Sequence, residues 1–329
     1  MAGIRILVVR LSAMGDVIHA LPAAASLKHS FPHSHLAWAI RPRWAPLLAG
    51  NPFVDEIIPL TNSARGVLRA AQALRRERFD VVVDFQALIQ SALLTACARS
   101  DKKVGLHRSQ ARESAAALFY SSAVLTRSAH RVDRNLELAA AAGATSLVRV
   151  FPLPEGKPEA SLPEGKFVLA CPFAGWGSKQ WPVEFYEDLA RALPSELGMP
   201  LVVNGPPESA ALLARIGSAY IHLSGLDGLI DATRRAQAVL GVDSGPLHIA
   251  AALSRPGVAI YGPTDPAQTG PYGGSIRVLR AGHTATTYKR SQRIHPSMRA
   301  IEPSAVLAAL DSALTSPLKP ASLKSDDSA

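Results

Sequence analysis

Cysteine is almost absent: the 329 residues hold two, Cys97 and Cys171. That excludes a disulfide-stapled scaffold. The settings of the two, SALLTACA and FVLACP, predict small buried hydrophobes in a reducing compartment. No His, Cys or carboxylate spacing fits a metal site and no DxD-like pair stands in a suitable loop, so neither a metal nor a cofactor is expected. Aromatic residues are scarce too, at 6%. They do not interleave with basic residues, and no zinc-finger, RRM or homeodomain pattern occurs, which argues against nucleic acid as a partner. No apolar run reaches the ~18–20 residues needed to span a bilayer. The opening MAGIRILVVRLSAMGD carries a basic residue and a short apolar stretch, but no small-residue cleavage site, unlike a secretory signal. Also missing are GxGxxG, a Walker lysine and GxSxG, which removes dinucleotide, P-loop and nucleophile-elbow chemistries.

Apolar residues are plentiful, at 48%, against 19% charged, which suits a packed globular protein. The length predicts two domains of about 150 residues each. Lysine and arginine outnumber the acids 35 to 26, a net charge of +9, so the partner is expected to be anionic. Charge alone leaves nucleic acid, anionic lipid and phosphorylated saccharide open.

Along the chain, short buried-strand runs alternate with helical patterns. In the first half strands are expected at 4–9, 35–40, 54–60, 80–84 and 103–106, with helices from 16 to about 29, over 63–78 and over 88–99. Residues 151–166, FPLPEGKPEASLPEGK, break both periodicities and mark a linker. A second series follows: strands 167–171, 200–204, 238–242 and 257–261, and helices 183–193, 207–217 and 245–253. Repeated β-α-β units imply an α/β protein with parallel sheets and right-handed crossovers in each half. The expected domains are 1–155 and 156–315, with a last helix over 302–314 that either completes the second domain or packs back on the first. A disordered tail, 316–329, is expected after it. Two such halves place a ligand cleft at the carboxyl ends of their strands.

Chemistry-bearing residues gather after those strands. Gly15, Asp16 and His19 follow the first one. Asp16 opens a helix whose positive end favours its ionised carboxylate, suited to accept a hydroxyl proton; the alternative is a plain helix cap. Asp243, Ser244, Gly245 and His248 form a strand-turn-helix whose amides could hold a phosphate, again with a simple cap as the alternative. Residues 175–182, GWGSKQWP, bring Lys179 to the end of the first strand of the second half, where a cation could meet a diphosphate. Thr264, in YGPTDP, lies at another strand end, where a plain turn is equally compatible. In the first half Arg41, Arg43, Arg65, Arg69, His107, Arg108 and Arg112 form a basic set fit for an anionic acceptor, although any one of them reads equally as a solvated surface charge.

Six segments, RLSAMGDVIHALPA, DFQALIQSALLT, ARESAAALFY, SKQWP, VDSGPLHIAAALSRP and YGPTDPAQTGPYG, together resemble glycosyltransferase family 9, on its heptosyltransferase side. The resemblance implies a GT-B fold of two Rossmann-like domains facing a cleft, with the acceptor on the first and the nucleotide sugar on the second. It implies an inverting transfer of L-glycero-D-manno-heptose from ADP-heptose to Kdo of lipid A, in lipopolysaccharide core synthesis. Asp16 falls on the family's catalytic base and Lys179 on the lysine that contacts the donor phosphates. Asp243, Ser244, Gly245 and His248 fall on its donor-binding turn and helix. Glu208 lies near the carboxylate for the adenosine ribose, and Thr264 belongs to the same donor side. The acceptor side would comprise Ser12, Gly15, His19, Gln86 and Arg112. Residues 288–301 resemble a cysteine-rich segment of other members, without its cysteines. The implied location is cytoplasmic, peripheral at the inner leaflet of the inner membrane, where a lipid-linked anionic acceptor resides. Other readings are a different sugar or acceptor within the family, a nucleotide-sugar epimerase, or a non-catalytic binding protein.

Overall fold

The structure, a computed structural model, describes residues 3–61, 63–282 and 284–316; the tail expected to be disordered lies, beyond Ser316, outside the described residues. The chain divides into two compact units, the first running to Pro154 and the second starting at Glu155. That boundary falls inside the Pro/Gly-rich segment 151–166. The segment is not a free tether. Pro152 accepts a hydrogen bond from Asn51 Nδ2 at 3.2 Å in the first unit. In the second, Glu159 accepts from the Gly225 amide.

In the first unit the strands are β1 (Arg5–Val9), β2 (His35–Ile40), β3 (Glu56–Pro59), β4 (Val81–Asp84), β5 (Lys102–Leu106) and β6 (Ser122–Val124). The helices are α1 (Met14–Ser30), α2 (Ala64–Arg76), α3 (Ile89–Cys97) and α4 (Arg131–Ala142). The sheet is parallel, in the order β3-β2-β1-β4-β5-β6. Ile6 to Val9 and Val82 to Val83 are fully buried, as strands covered on both faces must be. Every residue of α1 from Val17 to Leu27 is buried, so this helix is an interior element, packed against α4. Cys97, expected to be buried, is only half-buried, because it ends α3 at a surface groove.

The second unit comprises β7 (Val168–Cys171), α5 (Val183–Leu197), β8 (Leu201–Gly205), α6 (Ala210–Leu213), β9 (Tyr220–Leu223), α7 (Leu226–Arg235), β10 (Ala238–Val242), α8 (Gly245–Ala252), β11 (Gly257–Tyr261), α9 (Pro266–Thr269), β12 (Ile276–Arg280), α10 (Pro296–Arg299) and α11 (Pro303–Thr315). Its sheet order is β12-β11-β10-β7-β8-β9, again all parallel. Tyr186, Leu189, Ala190 and Leu193 form the buried stripe of α5, spaced for one helical face. The last helix packs on α5, β11 and β12, with Val306 and Leu310 completely buried in the second unit's core. Its apolar face is thus accounted for within its own unit. The helix expected over 207–217 is shorter: a 3-10 turn at Pro207–Ser209 and the single turn of α6. After Leu213 the bonds tighten to i→i+3, Ile216 N donating to Leu213 O at 2.9 Å, which turns Ile216 into the core.

Within each unit the strand order reverses direction beside the first strand, between β1 and β4 and between β7 and β10. Such switch points leave a crevice at the carboxyl ends of the strands.

Candidate functional site

In the first unit Val9 pairs with Asp84, so the loop leaving β1 passes directly over the end of β4. Gln86 latches that loop: its Oε1 accepts from Leu11 N at 2.7 Å and from Ser12 N at 3.2 Å. Asp84, wholly buried, accepts from the Gln86 amide at 2.8 Å, the Ala87 amide at 3.2 Å and the Tyr120 hydroxyl at 2.8 Å. Burial nevertheless pushes its carboxyl above the ordinary range, against the opposing hydrogen bonds of Ser91, Gln86, Tyr120 and Ala87. Tyr120 is pushed up as well, by burial and then by the adjacent Asp84 charge.

Gly15 and Asp16 lie in the first turn of α1. As a cap Asp16 is weak, its Oδ2 standing 3.5 Å from Ala13 N. Its main partner is Arg10, whose Nη2 lies 2.6 Å from Oδ2; Arg131 Nη1 lies 3.4 Å from Oδ1. Arg10 is almost buried and also donates to Phe85 O. Burial lowers its pKa, which Asp16 opposes. The carboxylate itself keeps 25% of its side-chain surface, against 6% for the guanidinium. His19 turns inward, 3% exposed, its ring edge-on to His130 at 5.3 Å. Arg112 is exposed between β5 and the 3-10 turn Ser114–Phe119. Of the other basic residues, Arg41 donates to Gln90 Oε1 at 2.9 Å and Arg43 lies 4.8 Å over the Trp44 ring. His107 contacts Ser109 Oγ at 2.9 Å, while Arg65, Arg69 and Arg108 are exposed.

In the second unit the candidates cluster at the β7/β10 switch point. Cys171 pairs with Gly241, bringing the loops after β7 and β10 side by side. Lys179, ending the 3-10 turn Gly177–Lys179, places Nζ 2.5 Å from Asp243 Oδ2. Thr264, 1% exposed, donates to the same oxygen at 2.7 Å. Lys179 and Thr264, far apart in sequence, thus meet on the one carboxylate of Asp243. Ser244 is the N-cap residue of α8 but makes no side-chain cap bond, and its buried Oγ has no partner. Gly245 starts α8 and His248 is buried one turn on. Lys179 Nζ also lies 4.2 Å from the Trp176 ring centroid. Glu208 is exposed on the 3-10 turn after β8, so it shares the sheet edge of this cluster without joining its contacts.

Here the exposure is inverted: Lys179 keeps 16% of its side-chain surface and Asp243 8%. The thiol of Cys171, buried at the end of β7, is pushed up to about 12, so it is an inert filler. Among the described residues no group of three His, Cys, Asp or Glu side chains is placed to hold a metal, and no helix is long and apolar enough to cross a membrane.

Sequence reasoning passed over Arg10, Asp84, Tyr120 and Arg131. A signal existed for the first two. Each is a charged residue at the end of a buried parallel strand, where a charge needs a partner. Nothing local marks Tyr120 or Arg131, because their partners lie 36 and 115 residues away.

A family model described as glycosyltransferase family 9 (heptosyltransferase) matches residues 67–297. Lipopolysaccharide heptosyltransferase 1 of Escherichia coli K12 is 30% identical over 305 residues, covering 84% of this chain and 93% of the relative. Lipopolysaccharide heptosyltransferase 2 of Salmonella typhimurium is 29% identical over 350 residues, covering 94% and 99%. The solved structure of E. coli heptosyltransferase WaaC with ADP matches with a TM-score of 0.75 and 26% identity, over 94% of this chain and 100% of that one.

Proposed function

We propose that this chain, which belongs to glycosyltransferase family 9, transfers L-glycero-D-manno-heptose from ADP-heptose to Kdo of lipid A, with inversion and without a metal. One observation carries the chemistry: the first unit offers solvent a carboxylate, Asp16, and the second an ammonium, Lys179. Asp16 takes the proton of the acceptor hydroxyl as that oxygen bonds to the anomeric carbon. The bond from that carbon to the diphosphate oxygen breaks through an oxocarbenium-like state, and ADP leaves with the electron pair. Its growing charge is met by Lys179 and by the amides at the start of α8, beside Ser244 and Gly245. Gln86 positions the Asp16 loop from below. Glu208 is assigned to the adenosine ribose. Ser12, Gly15, His19 and Arg112 belong to the acceptor side, His19 as packing beneath it.

The likeness to WaaC, solved with ADP, supports the nucleotide. Similarity to heptosyltransferase 2 supports a second reading, in which the acceptor already carries a heptose. Mass-spectrometric transfer assays across nucleotide sugars separate them. The proposal expects heptosylated Kdo-lipid A from ADP-heptose. Transfer only to a heptosylated core favours the second reading, and no transfer to either removes both.

The same reading puts the enzyme at the cytoplasmic face of the inner membrane. Support comes from the net charge of +9 and from exposed Arg65 and Arg69 on α2. Beside them a groove of about 330 Å³ lies between α2 and α3, lined by Val67, Ala71, Leu93, Cys97 and the exposed Ile89, and Leu68 is exposed on α2. Basic and apolar residues together suit an anionic bilayer surface. Co-sedimentation with vesicles should require anionic lipid and fall with salt; equal binding to zwitterionic vesicles would sink this location.

A further inference from the structure

Residues 284–295 run as a strap over the loops at the carboxyl edge of the second sheet. Backbone bonds pin it: Thr287 N donates to Pro263 O at 2.7 Å, Ser178 N to Ser291 O at 2.9 Å, and His295 N to Ser178 O at 3.4 Å. Arg280, ending β12, ties its root to the sheet by donating to Gly262 O and Thr284 O, each at 3.2 Å, and to Thr286 Oγ1 at 2.9 Å. Gly177 permits the close crossing, since a Cβ there would stand 2.1 Å from Gln292 O. The strap carries Lys289, Arg290 and Arg293 and no acidic residue.

One of these cations reaches the Lys179 cluster. Arg290 Cζ lies 5.4 Å from the centroid of the Trp176 ring, the ring that Lys179 Nζ approaches to 4.2 Å. Both distances are within the range of cation–π attraction. Two cations on one indole repel each other unless each is compensated. Lys179 is, by Asp243 at 2.5 Å. Arg290 is exposed and has no ion pair with an acid among the described residues. The cluster therefore holds one more positive than negative charge, at the mouth of the switch point, beside the open amides that begin α8.

We propose that Arg290 is a second phosphate-binding cation of the donor site, reaching the diphosphate of the nucleotide sugar from the strap. This rests on the donor reading of the second unit. A planar guanidinium can hold two phosphate oxygens at once, whereas an ammonium acts as a point charge. Lys179, already committed to Asp243, offers the diphosphate a partly neutralised charge, and Arg290 supplies an uncommitted one. Trp176 fixes the spacing between the two.

The test is calorimetric titration of ADP, and separately of adenosine, into the full chain at fixed ionic strength. Arg290→Ala should weaken ADP binding on the order of tenfold, leave adenosine binding unchanged and keep the wild-type Tm. Arg290→Lys should recover part of the loss. Arg293→Ala removes an equal charge from the same strap and should change ADP affinity less than about twofold. Wild-type ADP affinity in Arg290→Ala would overturn the proposal, as would an equal loss in Arg293→Ala, which would mean diffuse strap charge. The donor reading fails separately: in that case the wild type binds ADP no better than adenosine, and Lys179→Ala makes no difference.

Discussion

The two units share one strand order, 3-2-1-4-5-6 when each is numbered from its own first strand, yet they present opposite charges where that order reverses. In each, the loop after the first strand carries a cation and an acid stands at or just past the end of the fourth. In the first unit the cation is the buried partner: Arg10 sinks beneath Asp16, and Asp84 is sealed under Tyr120. In the second the acid is the buried partner: Asp243 sinks beneath Lys179 and is held by Thr264. One scaffold thus turns a carboxylate toward solvent on one copy and an ammonium on the other, and the choice is made by which member of an ion pair is kept from water.

The largest expected effect tests that polarity. Asp16→Asn should lower kcat by roughly 10²–10⁴-fold and leave ADP affinity within about twofold. Asparagine is preferable to alanine, because it keeps a side-chain oxygen to accept from the buried Arg10 guanidinium while removing the basic carboxylate. Wild-type kcat in this variant would end the comparison. Lys179→Ala is the mirror experiment and should reduce kcat/KM on the order of 10²-fold, as expected on losing a preorganised group facing a leaving anion. A loss of kcat/KM confined to the acceptor's KM would mean that the second unit does not hold the donor.

Next comes the buried cation. Arg10→Gln removes the buried member of an ion pair whose carboxylate meets solvent and should destabilise the protein by about 1–3 kcal/mol, read from urea unfolding. Because a neighbouring cation favours an ionised carboxylate, the ascending limb of the kcat profile should also move to higher pH. An unmoved limb would make Arg10 a support for the fold only. Gly177→Ala should cost ~1–3 kcal/mol, since the strap must lift from Gln292 or the turn must shift. It should weaken ADP binding in step with Arg290→Ala. Full stability and full ADP affinity would show that the strap crossing is loose.

How far the sequence revealed this depends on burial. β1, β2, β7, β10 and β11 were legible to within about a residue because their residues are sheltered on both faces and read as unbroken apolar runs. β6, β9 and β12 were not. They lie at or toward the edges, and YIHL and IRVLR have half-exposed faces that dilute the apolar signal. α4 and α7 went unread for a related reason: RVDRNLELAAAA and LDGLIDATRR mix charge with small residues and show a narrow apolar stripe. For the candidate site, residue types after strand ends pointed to Asp16, Lys179, Asp243 and Thr264. Which of them touch, and which face water, is set by β-β register and was invisible. Arg10 shows the limit: it opens the segment RLSAMGD in plain view, and only the pairing of Val9 with Asp84 reveals it as buried.

The smallest effect concerns the sealed acid of the first unit. Asp84 has its pKa raised above the unfolded value, chiefly by burial. A carboxyl raised in this way contributes stability that is fully present below its unfolded pKa, near ~4, and is lost as pH rises through the folded value. Asp84→Asn removes that ionisation while keeping an oxygen for the Gln86 and Ala87 amides. Its stability relative to wild type should therefore improve steadily from about pH 4 toward neutrality, by no more than about 1–2 kcal/mol, in urea unfolding followed at several pH values. A pH-independent gap for Asp84→Asn would mean that Arg10 already neutralises this carboxylate, and the two switch points would then differ in exposure alone.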